Sequence, residues 1–180
     1  MAELVTEVLL LRELEARDIK LLWQQMSQDL NGIPAAWPKN KKNFDEWIVE
    51  SILEEFPTKY VIEHNSGTTP KAITGIISID IITNQNQINY QMADQGDANV
   101  SYMTFPQFAG LGIATFAVQE ISKILLEHNL KPILRIETSN KASARVAIKC
   151  GFIKDDSAML IQDFFDEEPT ILDIYRKIII

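Results

Sequence analysis

A run of strand-forming residues, Ala98 to Phe105, leads into Gln107-Phe108-Ala109-Gly110-Leu111-Gly112, after which a helical stripe of Ile113, Ala117, Ile121, Ile124 and Leu125 begins. Val100, Tyr102 and Thr104 alternate against Ser101, Met103 and Phe105, the period of two that a pleated strand imposes. A strand entering a glycine turn that opens a helix constrains the fold strongly. It sets the free N–H groups and positive dipole end of the helix beside backbone without β-carbons, so that an anion such as a pyrophosphate can come close. Rival phosphate-binding turns fit poorly. A dinucleotide fingerprint wants a third glycine where Thr115 stands, and no Gly-Lys-Ser/Thr follows as a P-loop requires.

The 180 residues, 46% of them hydrophobic, suit one domain spanning 1–180. A chain of this size buries roughly 70% of its unfolded surface. No apolar run approaches the roughly 20 residues that span a bilayer, and the first residues include Glu3 and Glu7 rather than a basic segment, so a cytoplasmic protein without membrane contact is expected. The single cysteine, Cys150, and the two histidines, His64 and His128, leave little from which to build a metal site, and none is expected. A formal net charge of −8 argues against nucleic acid and fits a cationic or amine-bearing partner.

Val8 to Leu14 reads as a first strand, followed by a helix with Ile19, Leu22, Trp23, Met26 and Leu30 inward until Asn31-Gly32-Ile33-Pro34 breaks it. Asn43 with Glu46 resembles a capping pair for a second helix with Phe44, Trp47, Ile48 and Ile52 inward, ending near Pro57. Lys59–His64 and Ala72–Thr83 read as strands joined by a hairpin-like connection from Asn65 to Pro70, with a further strand expected near Gln87. After the glycine turn, the helix is expected to end around His128-Asn129. A strand follows from Ile133 to Thr138, then a helix from Asn140, a left-handed cap at Gly151 and a late strand over Ile171–Ile180.

The turn matches the Gln/Arg-x-x-Gly-x-Gly/Ala signature of the GNAT N-acetyltransferase superfamily, which the chain resembles over residues 8–180 and most clearly over 98–153. Leu11-Arg12-Glu13-Leu14 in the first strand, Asn140 with Ser143, and Gly151-Phe152 are similar to the branch of ribosomal-protein N-terminal acetyltransferases. The resemblance implies an α/β (α+β) three-layer fold, with a mixed central sheet of about six to seven strands flanked by about four helices. It also implies that Ala98–Phe105 and Ile133–Thr138 splay apart to admit acetyl-CoA. Backbone groups of Met103, Thr104 and Phe105 would then pair with the pantetheine arm, and the amides of Phe108, Ala109, Gly110, Leu111, Gly112, Ile113 and Ala114 would hold the pyrophosphate. Gln107 stands where many relatives carry arginine, and Asn140, Ser143 and Arg145 complete the cofactor contacts.

Acetyl transfer needs a neutral amine, a polarised thioester carbonyl and a proton for the departing thiolate. The resemblance makes Ser143, whose counterpart in that branch lies near the sulfur, the candidate for protonating or hydrogen-bonding the thiolate, and the tyrosine that many members place four residues before Gly-Phe is Ala147 here. Supporting the first turn of its helix is an equal role for Ser143, and Tyr102 is the fallback acid. Glu137 is the candidate base, with Glu54, Glu55, Asp155 and Asp156 also open. The acceptor is expected to be a protein N-terminal α-amine or a small amine such as a polyamine, amino sugar or aminoglycoside, and the protein a monomer or homodimer. A non-catalytic acyl-CoA-binding or interaction module is the reading that Ala147 and Gln107 motivate.

Four other features have plain readings. Asn99-Val100-Ser101 is a glycosylation sequon without a secretory context, Cys150 a packing residue, and His128 a helix-end cap. Asp163, Asp166, Glu167 and Glu168 form an acidic stretch read as a solvated face.

Overall fold

The structure, a computed structural model, describes residues 8–34, 36–52, 58–65, 71–87, 90, 92–162 and 170–178, with the side chains of 51, 52 and 157–162 outside that description. Its strands are β1 (Val8–Glu13), β2 (Lys59–Asn65), β3 (Ala72–Ile81), β4 (Asp97–Thr104), β5 (Lys131–Glu137), β6 (Phe152–Gln162) and β7 (Thr170–Lys177). The helices are α1 (Ile19–Met26), α2 (Lys41–Ile52), α3 (Ile113–Glu127) and α4 (Lys141–Lys149). The seven strands form one mixed sheet, as expected, and their order is β1-β2-β3-β4-β5-β7-β6. β1, β2 and β3 pair antiparallel, β4 and β5 parallel, and β7 lies antiparallel to both β5 and β6. Two compact units emerge, one of residues up to Ser78 with Tyr102–Ala117, the other of Ile79–Ser101 with Val118–Ile180. β3, β4 and α3 each pass from one into the other.

In the first unit, α1 and α2 turn apolar stripes onto the sheet. Leu22, Met26, Phe44, Ile48, Val61, Ile76, Met103 and Phe105 form a continuous core, and each such side chain contributes about 1.5–3 kcal/mol on burial. Trp23 packs on Phe44 with ring centroids 5.2 Å apart, and Trp37 on Trp47 at 5.0 Å. Arg12 ties β1 into this unit. Its guanidinium donates to both carboxylate oxygens of Asp18 at 2.7 and 2.8 Å and, through Nε, to Glu63 at 2.7 Å.

Helix boundaries differ from expectation at two places. The first helix stops at Met26; Leu30, expected inward, is 43% exposed in a short 3-10 turn that Asp29 caps by accepting from the Gly32 amide at 3.0 Å. The second helix begins before Asn43, because Asn40 Oδ1 accepts from the Asn43 amide at 3.0 Å and so fills the capping role first.

In the second unit, β5 and β7 carry near-continuous apolar runs, with Ile133, Leu134, Ile136, Leu172, Ile174 and Tyr175 buried. Arg176 gathers the ends of this unit, donating to Asp97 and Asp155 at 3.0 Å each and to the Met92 carbonyl at 2.7 Å. The strand expected near Gln87 is a turn instead, closed by the Gln87 amide donating to the Thr83 carbonyl at 2.9 Å. β6, on the other hand, was not anticipated. Its register against β7 shifts between Lys154 and Met159, so its sequence does not show a clean period of two. Gly151 adopts φ +77°, and His128 Nδ1 lies 2.8 Å from the Ile124 carbonyl, both as expected. Glu54, Glu55 and the acidic stretch Asp163–Glu168 lie outside the described residues, as does most of the Asn65–Pro70 connection.

Candidate active site

The first unit carries the glycine turn. Pro106–Phe108 forms a single 3-10 turn, closed by the Phe108 amide on Phe105 O at 2.9 Å and the Ala109 amide on Pro106 O at 3.1 Å. Gly110 and Gly112 both sit at φ +79°, a left-handed conformation that costs other residues strain, and a β-carbon at either would meet nothing within 4 Å. Among the described residues, the amides of Gly110, Leu111, Gly112, Ile113 and Ala114 donate no hydrogen bond, while the Phe116 amide closes the first helical turn onto Gly112 O at 3.0 Å. Unused donors, an open approach and the start of a 15-residue helix fit a diphosphate well. Of the expected cradle, Ala109 is already engaged within the turn, as is Phe108, which moves the available amides to Gly110–Ala114. Leu111, between the glycines, is 64% exposed. Gln107 turns toward α1, its Nε2 donating to Gln25 Oε1 at 2.7 Å.

Strand parity corrects the expected contacts for the pantetheine arm. The Phe105 amide donates to Thr74 O at 2.9 Å, and at the other end of β4 the Asp97 carbonyl accepts from Ile82 at 2.9 Å. In a strand, the N–H and C=O of one residue point the same way and alternate between successive residues, so the odd-numbered positions of β4 face β3. Phe105 and Met103 are therefore turned toward β3, and a β-carbon on Gly75 would collide with the Met103 carbonyl. The backbone groups of Tyr102 and Thr104 face away from β3. Of the three expected contacts, Thr104 alone faces away from β3; the alternation already visible in Val100, Tyr102 and Thr104 was the signal that could have separated it from Met103 and Phe105.

The second unit groups the remaining candidates at the junction of β5 and α4. The Asn140 amide donates to Glu137 O at 2.8 Å, and Asn140 Oδ1 accepts from the Ser143 amide at 3.0 Å. Asn140 thus caps α4 through the Ser143 amide, and the Ser143 hydroxyl makes no hydrogen bond to a described residue. Arg145 is exposed one turn further on. Asp155 is taken up by Arg176, while Asp156 is exposed. Burial pushes the Cys150 thiol up, against the opposing charge of Lys177, so it is a weak nucleophile. Asn99, in the sequon, is 1% exposed and its side-chain amide is hydrogen-bonded, which closes it to glycosylation in the folded chain.

Among the described residues, no group of three or more His, Cys, Asp or Glu side chains is placed to hold a metal ion, and no helix is long and apolar enough to cross a membrane. The family model described as an acetyltransferase (GNAT) domain matches residues 8–153. No curated protein matches the sequence. Among solved structures, a ribosomal-protein-alanine N-acetyltransferase from Brucella melitensis is similar at a TM-score of 0.69 and 19% identity, over 94% of this chain and 99% of that one. A spermidine N-acetyltransferase from Vibrio cholerae, in complex with CoA and spermine, is similar at 0.67 and 19% identity, over 93% and 94%. An N-acetyltransferase from Staphylococcus aureus Mu50 is similar at 0.69 and 15% identity, over 94% and 97%. Matched by the family model from β1 to the start of β6, the chain belongs to the GNAT acetyltransferase family and is an N-acetyltransferase with acetyl-CoA as its co-substrate.

Proposed function

We propose that the protein moves the acetyl group of acetyl-CoA directly onto a protein N-terminal α-amine in a ternary complex. The observation that carries the donor side is the glycine turn, where the amides of Gly110 to Ala114 remain unused at the start of α3. Those amides hold the pyrophosphate, and the outward backbone groups of Thr104 pair with the pantetheine arm as an added strand would. In the transfer step the amine nitrogen forms its bond to the thioester carbon as the carbon–sulfur bond breaks. Ser143 donates a hydrogen bond to the departing thiolate and relays to it a proton drawn from solvent, and Glu137, directly or through ordered water, receives the proton that the amine loses. An α-amine with a pKa near ~8 needs about 2.5 units less deprotonation than a lysine near ~10.4, roughly 3.4 kcal/mol, so a modest base suffices.

The net charge of −8 favours a second acceptor class, small polycationic amines such as polyamines, amino sugars or aminoglycosides. We read residues 1–180 as a single acetyltransferase domain working in the cytoplasm as a monomer or homodimer. Calorimetric titration with acetyl-CoA, with ATP and NADH as generic anions, tests the donor, and selective micromolar binding of acetyl-CoA is expected. Equal affinity for all three, or none, overturns the assignment of the turn. Acetylation assays on N-terminal peptides against spermidine and amino sugars then decide the acceptor.

A further inference from the structure

The parallel pairing of β4 with β5 runs from Asp97↔Lys131 to Asn99↔Ile133 and ends there, although both strands continue. A chain of side chains takes over where the ladder stops. Arg135, two residues past the last pair on β5, donates from Nε to Asn99 Oδ1 on β4 at 3.3 Å. Asn99 Nδ2 donates to Asp80 Oδ2 on β3 at 3.2 Å and to Ser101 Oγ at 3.3 Å. The Arg135 guanidinium lies 4.6 Å from the ring centroid of Tyr90, which packs against Ile82, Ala93 and Ile133. Three adjacent strands are thereby stitched on one face of the sheet.

We propose that Asn99 and Arg135 are positioning residues: with Asp80 and Tyr90 they brace β3, β4 and β5 at the end of the ladder and so fix how far β4 and β5 part for the acyl donor. The choice of residues supports this over simple stability. A half-buried guanidinium is costly to desolvate, and well-packed apolar residues would hold the same space at least as stably. Asn99 is 1% exposed yet uses both its oxygen and its nitrogen, so the three side chains are held in one relative geometry. Planar recognition matters as well. The guanidinium both donates edge-on to Asn99 and faces the Tyr90 ring, a combination that an ammonium cannot reproduce.

This inference rests on the proposed donor site, and its test separates the two. Acetyl-CoA is titrated into the wild-type protein, Arg135→Met, Asn99→Leu and the milder Arg135→Lys, with melting temperatures measured alongside and steady-state kinetics at varied acetyl-CoA. Folded Arg135→Met and Asn99→Leu are each expected to bind acetyl-CoA at least tenfold more weakly and to raise KM for acetyl-CoA more than they lower kcat. Arg135→Lys is expected to fall between wild type and Arg135→Met. A folded Arg135→Met or Arg135→Lys within twofold of wild type in Kd, whatever its melting temperature, overturns the brace. Failure of the wild-type protein itself to bind acetyl-CoA overturns the donor site instead.

Discussion

Replacing Gly112 by alanine separates the strain in the turn from the closeness of its ligand. Gly112 sits at φ +79°, where an L-residue pays about 1–2 kcal/mol, offset by about 0.4–1 kcal/mol because alanine also restricts the unfolded chain. The added methyl meets nothing within 4 Å, so no steric cost adds to this in the free protein. A net loss of about 1 kcal/mol lowers the melting temperature of a chain this long by about 2–4 °C. That strain is common to free and bound protein and cancels from the affinity. Any weakening of acetyl-CoA binding therefore measures contact between the methyl and the ligand, and at least a tenfold rise in Kd, about 1.4 kcal/mol, is expected by calorimetry. Gly96→Ala supplies the control. It has φ +87° and equally open surroundings, but lies at the opposite end of β4, on the order of 25 Å along the strand, so it should cost similar stability and leave Kd unchanged. A Gly112→Ala protein that melts lower yet binds acetyl-CoA within twofold of wild type would show that the glycines serve the turn alone.

Ser143→Ala should hold acetyl-CoA binding within about tenfold and cut turnover by roughly 10²-fold, the scale of a lost general acid; unchanged turnover in the acetylation assay removes Ser143 from the mechanism. Gly75→Ala should destabilise the fold by about 2–3 kcal/mol in urea titration, because its methyl would strike the Met103 carbonyl and come within 3.2 Å of Thr104 Cα, both backbone atoms that cannot step aside; a loss below about 0.5 kcal/mol contradicts that packing. Asp18 titrates against burial, which raises its pKa, and against the stronger combination of Arg12 and the Glu15 amide, which leaves it below the ordinary carboxylate value. A lowered folded pKa means stability present above about pH 4 and lost as pH falls through the folded value. Asp18→Asn should therefore cost about 2 kcal/mol at pH 7 and progressively less as pH drops below about 4. A gap between the two melting curves that stays constant from pH 7 to pH 3 contradicts it.

The parts of this molecule that were legible in the sequence are those in which one residue type answers one local requirement. Gly110 and Gly112 announce a turn opening a helix, Gly151 announces positive φ, Asn140 announces a helix start, and the alternation from Ala98 to Phe105 announces β4; each stands where expected. Features resting on competition between neighbours were not. Asn40 and Asn43 are both fit to cap α2, and only the geometry of the entering chain selects Asn40. Arg12 reads as part of a strand signature, but its partners Asp18 and Glu63 are set by α1's approach and by the β1–β2 register. β6 lost its periodic signal to the shift against β7, and the available turn amides differ from the expected ones because two of the early donors are spent closing the 3-10 turn.

Asn99 shows how such competition hides function-bearing structure. In sequence it belongs to a sequon, and its only chemical reading concerns a glycan. In the fold, the same amide is buried on a central strand and used at both ends, toward Asp80 and from Arg135. These partners lie 19 and 36 residues away, beyond the reach of any periodic or capping pattern. On the proposed reading, donor recognition relies on backbone amides, which any sequence supplies once glycines shape the turn, so it leaves a short motif. Spacing of the strands and choice of the acceptor rely instead on side chains that meet only after the sheet is built. A short signature can therefore name the co-substrate while leaving the acceptor to be read from packing and from assays on defined amines.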